Sequence, residues 1–140
     1  MAAFMTSEET KEFIEEVYEN VFENMDADEA MVRKYFDESY EQHIDARILN
    51  FTAFLNTISH QKENFNSIEL NIEELIVEND KCVSYHHSTF VKKTGEEINL
   101  RVILIFTIRD RKIVSTNGLT MGEIHKVLHP KHERHGHHHH

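Results

Sequence analysis

The sequence predicts an α+β domain, with three N-terminal helices packed on one face of a curved, mainly antiparallel sheet. Three observations predict it. Residues 7–25 place apolar side chains at helical period. Residues 82–91, 98–108 and 113–118 are rich in β-branched and aromatic side chains, and turn residues bound them at Asn79-Asp80, Thr94-Gly95 and Asp110-Arg111. The helical patterns come first, with one short strand among them, and a run of long strands follows.

Helix one is expected from Ser7 to Met25, opened by a capping box between Thr6 and Glu9. Phe13, Ile14, Val17, Tyr18, Val21, Phe22 and Met25 form its buried stripe, with glutamates opposite. Tyr18 is the one polar-tipped member, so its phenol is a candidate to point into a cavity beneath the sheet. Helix two is expected over Asp28–Phe36, capped by Asp26 or Asp28. A short strand from Ser39 to Ile44 carries Tyr40 and His43. Asn50 caps helix three, whose stripe is Phe51, Phe54, Leu55 and Ile58. Asn64–Asn66 break the chain before a four-stranded meander.

Turn lengths propose a register. A two-residue turn at Thr94-Gly95 sets Lys93 opposite Glu96 and His87 opposite Val102. Val83, Tyr85, His87, Thr89 and Val91 then share an apolar inner face with Ile98, Leu100, Val102, Leu104 and Phe106. Turns at Asn79-Asp80 and Asp110-Arg111 add Glu74 on one side and Asn117 on the other. Glu74, Tyr85, Leu104 and Asn117 form one row, next to Ile72, His87, Val102 and Leu119. Ser84, His86, Ser88 and Phe90 face outward beside Arg101, Ile103, Ile105 and Thr107. Phe90, Ile103 and Ile105 are large and apolar for a solvent face, which points to a homodimer through this surface, with Arg101 in it.

The totals exclude several classes. At 140 residues the chain reads as one domain with a proper core. Its organisation is an N-terminal extension 1–6, a domain 7–124 and a tail 125–140. The formal net charge of −10 argues against a nucleic-acid partner. No apolar run approaches a membrane span and no secretory signal opens the chain. The single cysteine, Cys82, cannot form an internal disulfide and fits a reducing, cytoplasmic location. His137–His140 after Gly136 look like a purification-tag remnant, and Pro130 interrupts the spacing of His125, His129, His132 and His135. No metal site and no cofactor is expected.

Three stretches resemble a known family: Tyr35-Phe36-Asp37-Glu38-Ser39-Tyr40-Glu41-Gln42-His43, Asn50-Phe51-Thr52-Ala53-Phe54-Leu55, and Ile105-Phe106-Thr107-Ile108-Arg109-Asp110-Arg111-Lys112-Ile113-Val114. In this order and spacing they are similar to the SnoaL-like branch of the nuclear-transport-factor-2-like superfamily, over about residues 7–122. The resemblance implies a cone-shaped α+β barrel with a cavity between sheet and helix one, and commonly a dimer. Superfamily members include ketosteroid isomerase, which pairs a base aspartate with a tyrosine and a protonated aspartic acid. By the resemblance Tyr18 takes the tyrosine's place, Leu104 takes that of the neutral acid, and the base would fall near His43 or Ile44. The aspartate of the cyclases' last strand is absent around Asn117.

Three functions remain open on the residues. One is a pocket for a small apolar, carbonyl-bearing ligand, lined by Tyr18, Tyr40, Glu74, Tyr85, Leu104 and Asn117. The second is an enzyme using His43 or His87 for proton transfer in enolisation, cyclisation or dehydration. The third is a non-catalytic dimeric binding or interaction module.

Overall fold

The computed structural model describes residues 4–129. The histidines at 132, 135 and 137–140 lie outside them. Helix α1 (Ser7–Val17) starts with the expected capping box. The Thr6 hydroxyl accepts from the Glu9 N–H at 3.1 Å, and the Glu9 carboxylate accepts from the Thr6 N–H at 2.9 Å. It runs straight into a π-helical segment, Tyr18–Glu23, that sequence periodicity did not foresee. Helix α2 (Glu29–Tyr35) is capped by Asp28, whose carboxylate accepts from the Met31 N–H.

Strands β1 (Phe36–Ile44) and β2 (Arg47–Asn50) form a tight antiparallel pair. The second strand was not expected, because four residues carry too little pattern to read. Asn50 then caps α3 (Phe51–Asn64) through a 2.9 Å bond from the Ala53 N–H, as expected. The long strands are β3 (Phe65–Glu78), β4 (Lys81–Lys92), β5 (Glu97–Arg109) and β6 (Lys112–Gly122). A five-residue helix, α4 (Ile124–Leu128), follows and buries Val127. The domain thus continues past the boundary expected at residue 124.

The strands make one curved sheet in the order β2-β1-β6-β5-β4-β3, with β1 parallel to β6 and every other pair antiparallel. This is the expected α+β arrangement of helices on a mainly antiparallel sheet. The sheet is open, with β2 and β3 at its edges. Its concave face packs on α1, the π-helical segment and α3 through a core that includes Ile14, Val17, Phe36, Phe54, Phe65 and Phe106.

Registers differ from the expected ones at three places, and each difference has a local cause. The β4–β5 loop has three residues, Lys93, Thr94 and Gly95, closed by Lys92 N–H to Glu96 C=O and Gly95 N–H to Lys92 C=O, both 2.8 Å. Gly95 sits at φ +97°, the left-handed position that ends such a loop. The extra residue pairs His86 with Val102 and His87 with Arg101. A slip of one residue turns a whole strand over. Ser84, His86, Ser88 and Phe90 are therefore buried inside, while Tyr85 and His87 take the outer face.

In β3 Glu74 pairs with Tyr85 as expected and follows it to the outer face, whereas an irregularity between Ile72 and Glu74 pairs Ile72 with His86 and keeps Ile72 on the inner side. In β6 a shift between the Ile108–Ile113 and Thr107–Ser115 pairs sets Asn117 opposite Ile105 and Gly118 opposite Leu104. Asn117 is exposed and Thr116 is buried in its stead. The inner rows run Leu75–Ser84–Leu104–Gly118 and Ile72–His86–Val102–Thr120. On the outside, Ile103 and Ile105 are exposed as expected, Arg101 is exposed beside them, and Phe90 is buried on the inner face instead.

Candidate functional site

An apolar cavity of about 140 Å³ lies between the concave sheet face and the helices. The long strands supply Ile68, Leu70, Phe90, Leu100, Val102 and Leu104, and the helices supply Tyr18, Phe22, Phe54, Ile58, Ile124 and Val127. Such walls follow from the strand's period of two, because β5 alternates exposed and buried residues from Glu97 to Phe106 and its buried set, Ile98, Leu100, Val102, Leu104 and Phe106, is wholly apolar. A cavity of this size is comparable to an apolar void that admits one benzene-sized ring, and smaller than drug-sized pockets of about 300 Å³ and more.

Two polar side chains of its wall, Tyr18 and His86, meet a third, Ser84, behind it. The Tyr18 hydroxyl donates to Ser84 Oγ at 2.9 Å and lies 3.4 Å from His86 Nδ1, while Ser84 Oγ is also 3.4 Å from that nitrogen. The Tyr18 and His86 rings stand edge to face with centroids 5.1 Å apart. Burial pushes the Tyr18 pKa well above that of an ordinary phenol, so Tyr18 stays protonated and acts as a hydrogen-bond donor. Burial, and next the neighbouring His87, lower the His86 pKa to about 4, so the imidazole is neutral at neutral pH.

Both partners of His86 are on Nδ1. Among the described residues, every fully buried side-chain nitrogen or oxygen has a hydrogen-bond partner. Nε2, which has none, therefore meets open space, and His86 borders the cavity. Ser88, two residues along the same strand face, lines the cavity with a hydroxyl likewise left unbonded.

The cavity's mouth is built by the β1–β2 turn. Asp45, at φ +57°, accepts from the Thr120 N–H at 2.9 Å and from its hydroxyl at 2.6 Å, which ties the turn to β6. Arg47 follows at once. It borders the cavity and also an outer space of about 270 Å³ whose walls include Asn56, His60 and Gln61. Lys62, on α3, donates to the Val21 and Phe22 carbonyls at 2.8 and 2.7 Å, which holds the end of the π-helical segment where Phe22 meets the cavity.

Of the residues singled out from the sequence, Tyr18 and Leu104 border the cavity. Tyr40 is buried beside it, its hydroxyl donating to Gln42 Oε1 at 3.0 Å and paired with the Thr116 hydroxyl at 2.9 Å, and Gln42 carries that bond to the cavity wall. His43 lies on the other side of β1, half exposed, with Nε2 3.2 Å from the Glu41 carboxylate. His87, Tyr85, Glu74 and Asn117 are on the outer face for the register reasons given above. There Tyr85 accepts from Arg101 at 3.0 Å. Sequence reasoning missed His86, Ser84 and Ser88. The signal for them was Gly95, since a glycine in third place marks a three-residue hairpin loop.

The SnoaL-like domain family matches residues 14–116, most of the chain. The chain belongs to this family. The same fold recurs in AclR, a proposed hydroxylase from Streptomyces galilaeus, with TM-score 0.72 and 13% identity over 87% of this chain and 96% of that one. A proposed SnoaL-like polyketide cyclase from a Jannaschia species superposes with TM-score 0.69 and 13% identity, covering 91% of this chain and 96% of its own. An uncharacterised protein of Schizosaccharomyces pombe is 20% identical over 114 residues, 81% of this chain and 87% of its own length. For the two solved structures such low identities establish the fold alone. Among the described residues no helix is long and apolar enough to cross a membrane, and no group of three or more His, Cys, Asp or Glu side chains is placed to hold a metal ion.

Proposed function

We propose that this SnoaL-like domain binds a small apolar molecule, about one ring in size, whose oxygen meets His86 Nε2 inside the cavity. The observation that carries this reading is the unpartnered Nε2 on a mostly apolar wall, with Nδ1 held by Tyr18 and Ser84. A neutral imidazole anchored at one nitrogen presents the other in a fixed direction, which is the arrangement a carbonyl or hydroxyl ligand needs. Proton transfer at the same site has weaker support. A base with a pKa near 4 abstracts protons poorly, and Asp45, the carboxylate on the cavity wall, is already taken by Thr120.

The test is an NMR titration of the imidazole signals of tag-free protein with a panel of single-ring ketones and phenols. Binding shifts the His86 resonances and leaves those of His43 and His87 in place. A panel in which no compound moves His86 would discard the reading.

A second reading concerns assembly. Ile103 and Ile105 on β5 and Leu119 and Met121 on β6 are 40–72% exposed on the outer face. Adjacent strands with such residues form a patch that a twofold homodimer would bury on itself. Sedimentation of the wild type against Ile103→Glu distinguishes dimer from monomer. We also propose a reducing compartment such as the cytoplasm, in keeping with the single, buried cysteine.

A further inference from the structure

We infer that the ligand is a carboxylic acid, with its ring in the apolar cavity and its carboxylate on Arg47 at the mouth. This rests on the binding reading above and names its ligand class. Arg47 borders both the inner cavity and the larger space outside it, so this one cationic residue stands where the two meet. Thr57, Gln61, Val127 and Leu128 are walls common to the two spaces.

Arg47 makes no ion pair and no hydrogen bond among the described residues, whereas Arg33 and Arg101 are both held by glutamates. Asp45 is the nearby acid on the same turn, and its two oxygens are occupied by Thr120. The turn is thereby fixed while the guanidinium it carries stays unpaired. On a chain of net charge −10 an anion is repelled in general, and a local cation is what permits one to bind. The planar guanidinium fork matches a carboxylate through two parallel hydrogen bonds. The inner space is too small for more than a single ring, so the acid group must extend outward toward Arg47.

The experiment titrates the full chain with 3-phenylpropanoate and with its uncharged counterpart 3-phenylpropanamide, at neutral pH and low salt, by calorimetry. The acid is expected to bind about tenfold more tightly than the amide, the effect of one partly exposed charge-assisted pair. In Arg47→Gln that preference disappears. Equal affinities for acid and amide in the wild type overturn the inference and leave the cavity reading standing, as does a preference that survives in Arg47→Gln. If neither compound binds, the cavity reading itself fails and the inference falls with it. Arg47 is exposed, so the variant keeps the fold.

Discussion

Tyr18 Oη and His86 Nδ1 lie 3.4 Å apart although 68 residues separate them in the chain. Ser84 closes the triangle at 2.9 Å from the phenol. The contact joins the π-helical segment to the centre of the sheet, and it fixes which imidazole nitrogen faces the cavity. Phenol, hydroxyl and imidazole are each buried, so each depends on the other two for hydrogen bonding.

Removing the phenol hydroxyl should therefore be felt in stability. Tyr18→Phe is expected to lower the unfolding free energy by about 1–2 kcal/mol, since Ser84 and His86 lose a buried partner while the ring packing remains. Urea denaturation of wild type and variant checks this. An unchanged midpoint would mean that the Ser84–His86 pair satisfies itself.

Acid sensitivity follows from His86. Its folded pKa of about 4 lies below the ordinary histidine value of about 6.5, so the unfolded chain takes up the proton first. Above pH ~6.5 the group is neutral in both states and contributes no pH dependence. As the pH falls from there toward 4, stability is lost, up to about 3 kcal/mol from this group. Carboxylates also titrate near the lower end, so the comparison must be with His86→Gln. The variant's unfolding free energy should fall less steeply with acid, and parallel curves for the two proteins would refute the assignment.

The hairpin loop gives a third prediction. A Cβ on Gly95 meets no atom within 4 Å, so Gly95→Ala costs only the backbone strain of φ +97°, about 1 kcal/mol. Deleting Gly95 is a different matter. It leaves the two-residue turn that would set His87 opposite Val102, which places Tyr85 and His87 in the core and ejects His86 and Phe90. Circular dichroism and thermal melts should show a folded Gly95→Ala and an unfolded or grossly destabilised deletion.

Gly118 supplies a fourth. It faces Leu104 on the inner side of the sheet, where any Cβ would collide with the Ile103 carbonyl oxygen and the Leu104 side chain. Gly118→Ala should destabilise by about 1–3 kcal/mol, the usual cost of overpacking. Pairing it with Leu104→Ala should recover part of that loss. Full additivity in the double-mutant cycle would contradict the close approach.

The helices, their caps and the alternation of β5 were legible in the residues alone. Capping by Thr6, Asp28 and Asn50 and the apolar stripe of α1 depend on neighbours three or four positions away, so local sequence carries them. Tyr18 on the α1 stripe and Leu104 on the apolar face of β5 were likewise placed on the inner side by local pattern, and both border the cavity. Which half of β4 faces inward depended on one residue in a loop, Glu74 followed its partner Tyr85 outward, and the place of Asn117 depended on an irregularity in β6. A strand's side chains alternate with period two, so its pattern is equally well satisfied by two registers unless one set is plainly polar. In β4 both sets mix polar and apolar residues: Ser84, His86, Ser88 and Phe90 against Val83, Tyr85, His87 and Thr89. The third residue of the loop, Gly95, together with packing against Tyr18 and the apolar face of β5, decided between them, and with it which histidine the cavity holds.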